Sequence, residues 1–369
     1  MRKVKTKGVI LACAVLFLGS INPFSDASSA SAAGNSSAKT SQKPISIVIG
    51  GDTQFSGSTL KTALKYGPSY PFQYVKKDLQ SADYAVLNLE TSITSLPDSY
   101  RDRNQRYNFK APASMLTGIK QSGADLVSLA NNHALDYGQQ GLLDTMSSVK
   151  KAGLSYIGAG KTMSEAYSAK TAVIKGKKVK FIAATRFAPS NSWFTFNRST
   201  KAGVAGAYQL DPLIKALKKE KKGADYLVLY LHWGVEKTTK PAAYQWEYLK
   251  RIVSETDVDA IIGSHPHVLQ GFTYYPKKSG GKTIKSVPVA FSLGNFLFPD
   301  YVTGKTAQTG LLTLTLEGKQ PSISFKPYII SKDVIRPVSA AARTSMEKYL
   351  QSISYNVSIK NGKITNRSK

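Results

Sequence analysis

From Pro44 onward the chain alternates short β-branched runs with amphipathic helical stretches, and several of the runs stop at a residue able to bind a metal. Such alternation marks a layered α/β fold, and in open sheets of this kind ligands gather outside the carboxyl ends of the strands. Strands are predicted at 45–50, 83–89, 125–130, 154–158, 179–185, 225–231, 258–263 and 287–293, with helices at about 70–80, 112–122, 139–152, 211–222 and 241–255. In the third helix Leu142, Leu143, Met146 and Val149 recur at helical spacing and read as core contacts. Ala82-Asp83-Tyr84, Ala124-Asp125-Leu126 and Ala224-Asp225-Tyr226 each open an apolar run, a weak internal rhythm. Past Gly310 the pattern turns to alternating strands, Leu311–Glu317 and Ser322–Ile330, expected to complete a second sheet. Residues 340–351 read as a short helix before an Asn- and Lys-rich tail.

The chain has four histidines, all at strand ends: in Asn131-Asn132-His133, His232-Trp233-Gly234 and His265-Pro266-His267. Asp52 and Glu90 hold equivalent places after Ile45–Ile49 and Tyr84–Leu89. Imidazole, carboxylate and amide oxygen together suit borderline divalent cations such as Mn, Zn or Fe. Glu90 can bridge two cations, and an i, i+2 histidine pair stiffened by Pro266 can address two neighbouring ions. Each piece has a plainer reading. One histidine can be structural, Asn131-Asn132 can be a turn, and Asp52 with Thr53 can cap a helix. Trp233 and Phe296 read as core or wall rather than as substrate stackers. Independent accidents would not all fall at successive strand ends, so the combination points to one metal site.

The N-terminus has a different character. Arg2, Lys3, Lys5 and Lys7 precede an apolar stretch of 14 residues from Gly8 to Ile21, followed by Ala30-Ser31-Ala32. That order predicts a signal peptide over 1–32, or an N-terminal anchor if uncleaved, and a protein secreted or held at the cell surface. Residues 33–43 read as a flexible spacer. Cys13 is the only cysteine and lies in the apolar stretch, so a cleaved chain has neither a disulfide nor a thiolate nucleophile. Net charge is +27; removing residues 1–32 takes away four basic residues and Asp26, leaving +24. Such an excess attracts anionic polymers by long-range steering, with no specific nucleic-acid recognition implied.

The segments Gly51-Asp52, Asn88-Leu89-Glu90, Ala130-Asn131-Asn132-His133-Ala134-Leu135-Asp136-Tyr137-Gly138, His232-Trp233-Gly234, Gly263-Ser264-His265-Pro266-His267-Val268 and Phe291-Ser292-Leu293-Gly294-Asn295-Phe296 resemble, in this order, the CapA family. That family is associated with poly-γ-glutamate capsule synthesis and with the calcineurin-like metallophosphatase superfamily. The resemblance runs over about residues 44–300 and implies an α+β fold, a four-layer α/β/β/α metallophosphatase-like sandwich, over 44–335, with a C-terminal helix and tail at 336–369. It implies one or two divalent ions: Asp52 and His267 on one, Asn132, His232 and His265 on the other, and Glu90 between them. His133 would act as a general acid or touch phosphate. Asn131, Asn295, Arg101, Arg103 and Arg106 are candidates for substrate contact. Gln54 stands where the superfamily has a histidine, and Glu90 where it has an aspartate, so the first metal position reads as depleted. The implied function is surface-located poly-γ-glutamate synthesis or export, with the polymer or a wall polymer and membrane-bound capsule proteins as partners. The alternatives are a secreted metal-dependent phosphodiesterase or phosphatase, and a non-catalytic polyanion-binding relic.

Overall fold

The computed structural model describes residues 43–197 and 200–367. The expected leader and nearly all of the spacer fall outside the described residues. Among the described residues no helix is long and apolar enough to cross a membrane.

Two sheets stack face to face. The first has ten strands and is built around Ile45–Thr53. On one side, parallel partners Tyr84–Leu89, Leu126–Ser128 and Ser155–Ile157 follow in order. On the other, Gln308–Leu316 pairs antiparallel with it and Ser322–Ser331 follows. The second sheet has six strands, with Lys177–Thr185, Tyr226–His232, Ala260–Ser264 and Lys282–Ala290 parallel at its centre. Gln308–Leu316 and Ser322–Ser331 therefore extend the first sheet, against the expectation that they complete a second. Leu312, Leu314 and Leu316 alternate into the space between the sheets, and that burial fixes which sheet they join.

Period-two alternation builds all four layers. Ile45, Ile47 and Ile49 face Phe181, Ala183, Val228, Tyr230 and Ile262 across the central core. Val48, Leu87 and Val127, from the opposite face of the first sheet, pack on helices through Met115, Leu116, Leu142, Met146 and Val149. Leu227, Leu229 and Leu231 pack outward on Leu213, Leu217, Leu249 and Ile252 from helices Leu210–Lys221 and Ala243–Glu255. The layer order is helix, sheet, sheet, helix, as expected. Trp233 and Phe296 are fully buried in the two outer cores.

Two local expectations shift. Helix Gly57–Tyr66 was not legible, and the helix expected at 70–80 forms only over Lys76–Ser81, because Gly67-Pro68 and Pro71 break the chain before it. The C-terminal residues do more than trail. Ser339 caps helix Ala340–Ile353 through Ala342 N, Met346 and Leu350 enter the central core, and hairpin 357–366 adds Ile364 beside Ile323.

Candidate metal centre

The carboxyl ends of the central strands of both sheets meet at one place. Strand Ile45–Thr53 carries Asp52 there through a register irregularity at Gly50-Gly51. A Cβ on Gly51 would meet Gly294 O at 2.0 Å, so only glycine lets the 294–297 segment pair alongside. Asp52 thus lies level with Asn88 on one neighbour and Asn295 on the other. Asp52 is not a helix cap, since Ser56 occupies that place. Glu90 follows strand Tyr84–Leu89, and its N–H donates to Thr53 O at 2.9 Å. His232 ends strand Tyr226–His232, and His265 follows Ala260–Ser264. His265 and His267 both adopt the left-handed region, with φ of 98° and 57°, to turn their rings toward the site.

His232 is at the centre. Its Nε2 lies 2.7 Å from Asn132 Oδ1, 3.1 Å from His265 Nδ1 and 3.5 Å from Glu90 Oε1. One ring nitrogen either donates one proton or accepts at one lone pair, so Nε2 cannot make a well-formed hydrogen bond to all three neighbours at once. Nδ1 of the same ring meets Ser264 Oγ at 3.0 Å, a partner that fixes the ring's orientation. His267 Nδ1 lies 3.6 Å from Asp52 Oδ2 and 2.8 Å from Asn295 Oδ1. One donor atom each from Glu90, His265 and His267 lies within 4.8 Å of the other two.

Glu90 is the least satisfied group. It is fully buried, and neither carboxylate oxygen has a hydrogen-bond partner among the described residues. Burial, then the nearby Asp52, Glu236 and Asp136 charges, push its acid well above the usual range. Burial also raises Asp52, against the opposing effect of His267. His232 and His265 are driven well below the ordinary histidine value by burial and by the other imidazoles. Both shifts favour the uncharged forms, which weighs against reading the 3.5 Å approach of Glu90 to His232 as an ion pair. A carboxyl group and two imidazoles held together in the interior, each shifted toward its uncharged form, form a donor set that a divalent cation would satisfy.

His133 stands beside this cluster. Its Nδ1 meets Asp136 Oδ2 at 2.9 Å, and Asp136 is buried and also accepts from Phe109 N at 2.7 Å. His133 packs on Phe109, and its Nε2 has no hydrogen-bond partner among the described residues. Asn131 is fully buried, with its amide nitrogen on Asn88 Oδ1 and Leu89 O and its oxygen on His133 N. Asn295 is likewise buried, donating to His267 O and Thr306 O. Both amides brace the ligand loops from within. Gln54 is turned to Ser56 Oγ at 2.7 Å. Arg101 pairs with Asp98 and Tyr137, Arg106 lies over Tyr107, and neither these nor Arg103 bonds to the cluster.

Some contributors were not legible beforehand. Asn88 donates to Asp52 Oδ1 at 2.7 Å, Gln105 reaches Asn132 O at 2.6 Å, and the Phe187 ring stacks on His265 at 4.5 Å. Asn88 and Asp136 stand within the motifs that carry the family resemblance, whereas Gln105 and Phe187 have no local signal.

Known proteins give the cluster a context. The chain is 28% identical over 300 residues to the capsule biosynthesis protein CapA of Bacillus anthracis, covering 80% of this chain and 70% of that one. It is 28% identical over 260 residues to the PGA biosynthesis protein CapA of Bacillus subtilis, covering 69% of this chain and 63% of that one. Looser likenesses link it to the solved structures of a phosphatase from Mycoplasma pneumoniae (TM-score 0.46, 13% identity, 80% of this chain and 95% of that one) and of the calcineurin-like phosphoesterase YfkN from Bacillus subtilis (TM-score 0.43, 18% identity, 84% and 97%). Residues 46–300 match the bacterial capsule synthesis protein PGA_cap, and the chain belongs to that family.

Proposed function

We propose that this chain is a cell-surface protein of poly-γ-glutamate capsule synthesis or export that binds divalent metal at the strand-end cluster. The single observation carrying the metal reading is Glu90: a buried carboxyl group with neither oxygen hydrogen-bonded among the described residues, close to His232, His265 and His267. In this reading Asn132, His232 and His265 would hold one ion and Asp52 and His267 a second, with Glu90 as a further ligand. When bound, such ions supply positive charge that polarises a phosphoryl or acyl oxygen. The chain's own residues then do the rest. Asn88, Ser264 and Asn295 hold the ligand side chains in place. Asp136 fixes the ring of His133, which presents Nε2 as a proton donor or acceptor.

Family membership supports the capsule role, and the basic leader and apolar stretch of residues 2–21 support export. Elemental analysis after exposure to Mn or Zn should find metal on the parent protein. His232→Ala or His265→Ala should lower that content far more than Gln54→Ala; a metal-free parent overturns the reading.

The polymer side has its own test. A +24 exported chain should bind poly-γ-glutamate with an affinity that drops steeply between low and physiological salt, because screening weakens exposed charge contacts. Binding that ignores salt, or no binding at low ionic strength, contradicts electrostatic capture. The second reading, a secreted phosphodiesterase or phosphatase, is favoured by the His133–Asp136 pair, an acid–base arrangement that polymer binding alone does not require.

A further inference from the structure

We propose that Arg186 is an anion-recognition group beside the metal cluster, receiving a phosphate or carboxylate of the incoming substrate. The inference uses the metal reading only for what lies next to it. Arg186 directly follows strand Lys177–Thr185, and its backbone N–H donates to His232 O at 2.8 Å. The next residue, Phe187, stacks on His265, so one ring touches both the guanidinium and the cluster.

Three aromatic rings hold the guanidinium. Its carbon lies 4.6 Å from the Tyr208 ring, 4.7 Å from Tyr244 and 5.4 Å from Phe187. Tyr244 is itself pinned, accepting from Gly234 N at 2.6 Å and donating to Gly234 O at 3.0 Å. Gly234 (φ +100°) lies so close to Pro266 that a Cβ would come within 2.6 Å of its ring, which ties the cage to the His-Pro-His loop. Among the described residues Arg186 has no carboxylate partner, and its Nε is buried without a hydrogen-bond acceptor. A cation placed by rings rather than by a counter-ion keeps its charge and its hydrogen-bonding edge for a ligand. Tyr208 is 56% exposed, so one wall of the cage faces solvent. The fork of an arginine fits the planar carboxylate and the tetrahedral phosphate alike.

The test titrates inorganic phosphate, and separately a γ-linked glutamate oligomer, into the parent protein and into Arg186→Gln, Arg186→Lys and Tyr208→Ala. Calorimetry follows each titration on metal-stripped and Mn-exchanged samples. Arg186→Gln is expected to weaken binding about ten- to a hundredfold, the scale of a lost charge-assisted pair. Arg186→Lys should recover part of that loss, and metal content should stay at the parent level. Tyr208→Ala should weaken binding severalfold, and as an open-wall change it leaves the fold intact. A response to phosphate alone identifies a phosphoryl ligand, and a response to the oligomer alone a polymer carboxylate. Affinities within about twofold of the parent for Arg186→Gln and Tyr208→Ala overturn the proposal, as does a parent that binds neither anion. A parent without metal whose anion binding still depends on Arg186 defeats the metal reading and leaves this one standing.

Discussion

His133→Ala is expected to keep its full metal content and to lose phosphodiester hydrolysis by about 10²–10⁴-fold, the usual contribution of a positioned general acid. The geometry separates the two effects. His133 hangs from Asn131 through its backbone and from Asp136 through Nδ1, and none of its side-chain hydrogen bonds goes to a proposed ligand. Removing the ring therefore leaves His232, His265 and Glu90 where they are. Asp136→Asn should give a smaller loss, because an amide at this position can still hydrogen-bond Nδ1 and hold the ring's orientation. A generic phosphodiester is the assay, and capsule yield in cells is a second readout. If the site is a relic, the parent shows no turnover and the variant makes undiminished capsule. Loss of metal from His133→Ala would refute the role given to this residue even in an active enzyme.

Glu90→Gln should move stability in opposite directions with and without metal. In the stripped protein Glu90 favours the neutral acid far above its ordinary value of 4.5, so the folded state binds more protons than the unfolded chain. Stability contributed by this group is present below pH 4.5 and is lost as pH rises toward the raised value; Asp52 acts in the same sense. His232 and His265 act oppositely. Their depressed values mean the unfolded chain takes up protons below about pH 6.5, which costs stability in acid. The histidine contribution fades above about pH 6.5, so any slope these four groups still give there is that of the carboxylates. Glu90→Gln should therefore flatten the decline of the stripped protein's melting temperature as pH rises above 4.5 toward the raised value of Glu90. At pH 8 it should stabilise that form by about 1–3 kcal/mol, the scale of a buried polar group left unsatisfied. In the metal-loaded protein the same change should destabilise and should lower metal affinity by tenfold or more, because it removes an anionic ligand. Destabilisation of equal size in both forms would show that Glu90 is structural.

The residues that were legible share one physical property: each sits where a strand stops. A β-branched run shows its own end, and in a layered α/β fold the ends of neighbouring strands lie close together. Asp52, Glu90, Asn132, His232, His265 and His267 could thus be grouped although more than two hundred residues separate the first from the last. Gln105 could not, and Arg186 and Phe187 were missed although they directly follow strand Lys177–Thr185, because neither is a metal-ligand type and their roles come from neighbours brought in by other elements. Arg101, Arg103 and Arg106, expected to touch substrate from the loop after Glu90, do not bond to the cluster. At the end of a strand in the other sheet, the Arg186 guanidinium instead has no carboxylate partner among the described residues. Hairpin Phe272–Ser279 and Lys282–Ala290 was half missed because Lys277, Lys278, Lys282 and Lys285 hide its tip behind polar residues. Sheet membership of the strands after Gly310 was misjudged for a related reason. Alternation reports that one face is buried, but not against which partner.

The left-handed turns at His265 and His267 bear on how this lineage can change. Each holds a conformation that costs a side-chain-bearing residue about 1–3 kcal/mol and costs glycine almost nothing. A chain selected for stability alone would gain by exchanging either histidine for glycine or asparagine. On the proposed metal reading these two positions act as an internal gauge: relatives that have given up metal binding should show glycine or asparagine there first and melt higher for it.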